Sequence, residues 1–125
     1  MTHVIEDVDK VEILTLQDNF IDMVTKDNSD VIQRALPLKG MEVSNSILAE
    51  PGFSALVTIT RNGQTRSLLF DFGFSEDGAA RNAEALNVDL SAVEVLALSH
   101  GHLDHVGGLK KLTGLVGKKR LDLVL

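Results

Sequence analysis

The sequence predicts an α/β (α+β) domain, a mixed sheet with helices on one face. Three observations predict it. Apolar alternation marks strands near residues 11–16, 53–60 and 65–70. A helix-period stretch at 75–90 separates these from a continuous apolar run at 93–99. The order strand, hairpin, helix, strand, helix, strand then calls for a sheet covered by helices on one face. The 125 residues fit one domain, 1–125.

Each element has its own signal. In VEILTLQDNF, apolar residues alternate from Val11 to Leu16, and Asp18-Asn19 turns the chain. Residues 20–50 carry weak helical patterning, polar interruptions, Pro37 and Gly40; they read as a loop-rich excursion with room for a short helix or two. Phe53 to Thr60 is rich in β-branched residues, Asn62-Gly63 tolerates the positive φ of a tight hairpin turn, and Thr65 to Phe70 returns as the partner. In SEDGAARNAEALNVDL, Ser75 or Asp77 can cap a helix, Ala79, Ala83 and Leu86 share a face, and Asn87 stops it. VEVLALS, at 93–99, reads as a strand buried on both faces. VGGLKKLTGL opens a helix, and RLDLVL is strand-like.

Composition narrows the function. With five Phe and no Trp or Tyr, the core must be built from Leu, Val, Ile and Ala. A net charge of −6 and a pI near 5.1 argue against a nucleic-acid partner, whose binder is usually basic. They leave room for a small phosphorylated substrate, because bound metal ions reverse the local sign. The absence of cysteine excludes disulfides and thiolate metal sites. The acidic start MTHVIEDVDK lacks an apolar signal core, and no apolar run reaches bilayer length, so no membrane partner and a cytoplasmic location are the expectation.

The chemistry concentrates in SHGHLDHVGGL, where His100, His102, Asp104 and His105 follow the pattern His-x-His-x-Asp-His at the end of a strand. In extended backbone, residues two apart point the same way, so His100 and His102 can converge on one ion. A bend at Asp104-His105 can aim those two side chains at a neighbouring position. Gly107 and Gly108, lacking Cβ, let the backbone turn sharply into the next helix. Imidazole and carboxylate donors suit zinc, iron or manganese. Two such ions about 3.5–4 Å apart would hold a bridging hydroxide, with bound water brought towards a pKa of ~7. His3 stands alone near the N-terminus and is left out of the site.

At these residues the chain resembles the metallo-β-lactamase-fold hydrolase superfamily. AEPGFSALVTI, LLFDFG and RNAEALNVDLSAVEVLALSHGHLDHVGG resemble its branch of dihydropterin-ribofuranosyl-aminobenzene phosphate synthases, as does LTLQDN near the N-terminus. The resemblance implies two divalent metals, zinc foremost. It implies His100 and His102 as ligands of the first and Asp104 and His105 as ligands of the second, with Asp104 also orienting the nucleophile as the catalytic residue. Asp71, in FDFG, matches an aspartate that ends a strand beside the site, either supporting the ligands or capping a turn. Two departures stand out. Glu50-Pro51-Gly52 replaces the branch's frequent Glu-His-Gly, and Phe72 interrupts its Asp-Thr-Gly.

The family fold is an αββα sandwich of two similar halves, and this chain resembles the N-terminal half. The family's remaining ligands lie beyond the matched part, so the expectation is a truncated domain with two ligands per ion. That implies weak or absent metal binding and little activity by itself. Unpaired apolar sheet surface then favours a homodimer, or association with a missing C-terminal half. The function expected is metal-dependent hydrolysis of an ester or phosphoester. A pterin-related synthase of the same fold is the alternative, and a non-catalytic metal-binding or interaction module is a third possibility. Lys118-Lys119-Arg120 and Lys110-Lys111 read as solvated charge, with anion steering as their other reading. No phosphate-cradling glycine loop or Gly-x-Ser-x-Gly elbow is present.

Overall fold

The computed structural model of the chain describes residues 5–22, 28–33 and 46–125. The helix expected within 20–50 falls largely outside these residues, as does His3. Among the described residues, five strands form one sheet in the order β1-β2-β3-β4-β5. β1 spans Lys10–Gln17, β2 Ser54–Arg61, β3 Gln64–Phe70, β4 Val93–Ala97 and β5 Asp122–Val124. The first three run antiparallel, with a register shift between Thr15 and Gln17. β4 is parallel to both β3 and β5, which makes the sheet mixed.

The β2–β3 hairpin closes at Asn62 and Gly63, both at positive φ (49° and 74°), as the Asn-Gly pair dictates. α1 (Gly78–Ala85) carries the chain from β3 to β4 and lies between the expected cap at Asp77 and the expected stop at Asn87. Asp77 occupies its N-cap without a side-chain bond, and Ser75 takes over: its hydroxyl accepts from the Gly78 N–H at 2.9 Å. Asn87, at φ 54°, ends the helix, and a 3-10 turn over Leu90–Ala92 leads into β4. α2 (Leu103–Val106) and α3 (Leu109–Val116) carry the chain from β4 to β5. α3 stops at Gly117 in the left-handed region.

The core lies between the sheet and the helices. Leu56, Leu69 and Leu96 form one cross-strand row on that face. Leu69 and Leu96 meet Phe72, Ala79, Ala83, Leu112 and Val116 in one buried cluster. The opposite row, Ile13, Val57, Leu68 and Val95, is covered by no described element; Ile13 is 67% exposed. β4 is therefore covered on one face, not buried on both: Leu96 is sealed while Val95 and Ala97 are half-buried. Phe72 is fully buried, so the residue that departs from the branch pattern is a core filler.

Candidate metal centre

Three strand ends meet where β3 and β4 finish, and Asp71 stands at their junction. Its φ of 53° lies in the left-handed region, which aspartate enters more readily than most non-glycine residues. The backbone is held from two sides. Its N–H donates to the Ala97 carbonyl at 2.9 Å, and the Ser54 hydroxyl donates to its carbonyl at 2.9 Å. The side chain is 1% exposed and accepts three hydrogen bonds, each 2.7 Å long. The Ser99 N–H donates to Oδ1, while the Ser99 hydroxyl and His105 Nδ1 donate to Oδ2. Burial pushes this carboxyl up. The Ser99 N–H, the Ser99 hydroxyl, and the bond and charge of His105 outweigh it and hold the group below the usual carboxylate range. Both readings of Asp71 thus meet in one residue: it shapes the turn after β3 and orients His105.

The loop after β4 is stitched to the loop after β3. Phe72 N–H donates to the His105 carbonyl at 2.8 Å, Gly107 N–H to Gly73 at 2.9 Å and Gly108 N–H to Phe72 at 3.1 Å. This explains the glycines, and not as the sequence predicts. Gly107 has helical angles (φ −58°, ψ −42°) and Gly108 is near them, so neither needs glycine's freedom to turn. What they need is space: a Cβ at Gly107 would stand 1.6 Å from the Phe74 carbonyl oxygen, and one at Gly108 2.4 Å from that of Phe72. Gly52 is under the same constraint, 1.9 Å from the Asp104 carbonyl oxygen, at φ 101°. Glu50, beside it, ties this loop to the start of α1 by accepting from the Ser75 hydroxyl at 2.8 Å and the Ser75 N–H at 3.2 Å.

The four residues singled out by spacing are brought together. The His100 ring lies 4.4 Å from His102 and 4.2 Å from His105, centroid to centroid. His100 and His102 are exposed, in the extended segment before α2. Asp104 and His105 sit on the helical turn of α2, not on a bend in extended chain. Asp104 Oδ2 stands 3.7 Å from His105 Nε2. With Nδ1 donating to Asp71, the neutral His105 ring presents Nε2 as a lone-pair donor towards that carboxylate. Two donors on one tetrahedral zinc ion stand ~3.3 Å apart for bonds of about 2.0–2.1 Å. The Asp104–His105 pair is near that spacing, and imidazole with carboxylate fits a divalent ion of the zinc, iron or manganese type. Among the described residues, no three His, Asp or Glu side chains converge closely enough to hold one ion.

Ser99 is the residue that spacing alone misses. Its neighbour His100 draws the eye, yet its hydroxyl links Asp71 to His100 Nδ1, the latter at 2.9 Å. A hydroxyl directly before the first histidine is the one sequence signal that could have marked it. One lysine of each basic run has a partner in the fold: Lys118 Nζ donates to the Val93 carbonyl at 2.6 Å, and Lys111 pairs with Asp77 at 3.2 Å; Lys110, Lys119 and Arg120 are exposed.

Comparison with known proteins places this geometry in a family. The sequence model of the metallo-beta-lactamase superfamily matches residues 49–120, more than half of the chain and all of the site just described. The chain belongs to the metallo-beta-lactamase superfamily. Over 61 residues it is 33% identical to a 7,8-dihydropterin-6-methyl-4-(beta-D-ribofuranosyl)-aminobenzene-5'-phosphate synthase of Methanocaldococcus jannaschii, covering 49% of this chain and 21% of that protein. Among solved structures it is similar to a Cronobacter sakazakii metallo-beta-lactamase with a HARLDQ motif (30% identity, TM-score 0.41, 55% of this chain and 26% of that one). It is also similar to a subclass B3 metallo-beta-lactamase from a soil metagenome library (26% identity, TM-score 0.44, 62% and 27%). The chain spans about a fifth to a quarter of the length of these relatives. No helix among the described residues is long and apolar enough to cross a membrane.

Proposed function

We propose that this chain carries one half of a dinuclear metal centre that hydrolyses an ester or phosphoester, with His100 and His102 serving one divalent ion and Asp104 and His105 the other. One observation carries the reading: three imidazoles and a carboxylate crowd the end of β4, with the buried Asp71 orienting His105 from behind. A bound zinc, iron or manganese ion would supply Lewis acidity and a lowered pKa for water at the site. The chain's own residues do the rest. Asp71 keeps the proton of His105 on Nδ1, so that Nε2 remains a donor. Asp104 Oδ2, beside that nitrogen, can hold a proton of the attacking water and orient it. Two donors per ion fall short of the usual three or four, so the chain by itself binds metal weakly and turns over little.

Calorimetric titration with Zn²⁺ tests this. Weak binding that disappears in the His100→Ala/His102→Ala/His105→Ala variant is expected. Equal binding in that variant would overturn the ligand assignment, and submicromolar affinity in a monomer would overturn the half-site. The identity to the M. jannaschii synthase favours a second reading, in which the same donors serve a pterin-related synthase. Assays of ester hydrolysis and of pterin condensation in protein carrying the complete ligand set separate the two.

A further inference from the structure

We propose that Ser99 is a positioning residue whose hydroxyl, tied to the buried carboxylate of Asp71, fixes His100 as the Nδ1–H tautomer and leaves Nε2 as its metal-donor atom. This rests on the reading of His100 as a metal ligand. A serine hydroxyl has one hydrogen to give and lone pairs to receive. Ser99 Oγ is 2.7 Å from Asp71 Oδ2 and 2.9 Å from His100 Nδ1. An ionised carboxylate accepts only, so the hydroxyl's hydrogen goes to Asp71. What Ser99 offers His100 is a lone pair, and Nδ1 must bring the hydrogen. In a neutral imidazole the other nitrogen is then the lone-pair atom.

The hydroxyl is not free to reverse its role. The Ser99 N–H also donates to Asp71, at 2.7 Å to Oδ1, so the residue is gripped at two points. Oδ2 already faces the hydrogen of His105 Nδ1 at 2.7 Å, which leaves that oxygen an acceptor for both neighbours. One buried carboxylate therefore sets two imidazoles, His105 directly and His100 through a hydroxyl. His102 has no ring hydrogen bond of this kind among the described residues; its ring rests edge-on against His100 at 4.4 Å, interplanar angle 75°.

Nitrogen-resolved NMR of the imidazoles in the metal-free chain, above the pH range in which imidazole is protonated, reads the tautomers directly. In the native chain His100 and His105 should both be Nδ1–H, the minority form of free histidine, while His102 is a mixture. Ser99→Ala should return His100 to a mixture, leave His105 as Nδ1–H and weaken zinc binding roughly tenfold or more. Ser99→Thr, which keeps the hydroxyl, should preserve the native pattern. A His100 that is Nε2–H in the native chain, or whose tautomer ignores Ser99→Ala, overturns the inference. If Ser99→Ala disturbs His105 as well, Ser99→Thr decides, supporting the inference when His100 stays Nδ1–H and overturning it when it does not. The two readings fail separately. Zinc binding indifferent to His100→Ala removes the metal role with the tautomers unchanged, whereas a tautomer indifferent to Ser99 removes this inference with the metal role intact.

Discussion

Replacing Asp71 by Asn isolates the charge at the junction of the site, because the two side chains are nearly isosteric and both tolerate the left-handed φ of 53°. The carboxylate accepts three bonds of 2.7 Å, all from within the fold. The amide oxygen of Asn keeps the one from the Ser99 N–H. Its NH₂ then faces two former donors, the Ser99 hydroxyl and His105 Nδ1–H. The hydroxyl can rotate and accept, and the imidazole can change tautomer, so neither loss is complete. Hydrogen bonds to a charged group contribute about 1.5–3 kcal/mol each. Two of them, each partly recovered, put the loss at about 2–3 kcal/mol. For a domain of this size that lowers the melting temperature by roughly 6–15 °C. The pH dependence follows from the depressed pKa of Asp71. A group held below its unfolded value contributes stability that is fully present above that value and is lost as pH falls through the folded one. Native and Asp71→Asn chains should therefore differ most near neutrality and converge on the acid side of the ordinary carboxylate range. Thermal melts across pH read this out. Equal melting temperatures at neutral pH, or a gap that persists unchanged in acid, would refute the account.

Other substitutions test the frame. Gly107→Ala forces a Cβ onto the Phe74 carbonyl and should cost more than about 3 kcal/mol or prevent folding, whereas Gly101→Ala, where a Cβ meets nothing within 4 Å, should melt within a degree or two of the native chain. Asn82 is buried, its amide donating to the Leu16 and Leu48 carbonyls at 2.7 and 2.8 Å and accepting from the Leu48 N–H at 2.8 Å. Asn82→Ala should cost about 2–4 kcal/mol in urea denaturation. The row of Ile13, Val57, Leu68 and Val95, covered by none of the described residues, should drive self-association, read by light scattering as a mass above the monomer's; a monomer at high concentration would exclude it.

What could be read in the sequence was whatever depends on local pattern. The Asn62-Gly63 turn, the alternating strands and the stop at Asn87 each follow from backbone preferences within a few residues, and all appear in the fold. The four candidate donors after β4 are legible as a cluster because they sit within six positions. The 3-10 turn at Leu90–Ala92 is not legible, because nothing in the pattern marks a second turn between Asn87 and β4. The reason for Gly107 and Gly108 was missed for the same kind of cause. A sequence shows that a Cβ is absent, but only the fold brings the carbonyls of Phe72 and Phe74 to where it would be.

The non-local part of the site has a common logic. Asp71 and Ser99 are 28 positions apart and belong to the ends of different strands. They meet because β3 and β4 run parallel, so that their C-terminal ends finish side by side, with Phe70 opposite Ala97. A residue just past one end can then bond a residue just past the other. The antiparallel hairpin of β2 and β3 cannot do this: it brings the start of β2 beside the end of β3, which is where Ser54 reaches the Asp71 carbonyl. The mixed sheet thus supplies both supports at once, the hairpin fixing the backbone of Asp71 and the parallel pair aiming its carboxylate at Ser99 and His105. Loosening the β3–β4 pairing should therefore disturb the imidazoles before it melts the hairpin. Amide exchange at Asp71 and Ser99 faster than at Thr58, with the histidine resonances broadening together, would be its signature.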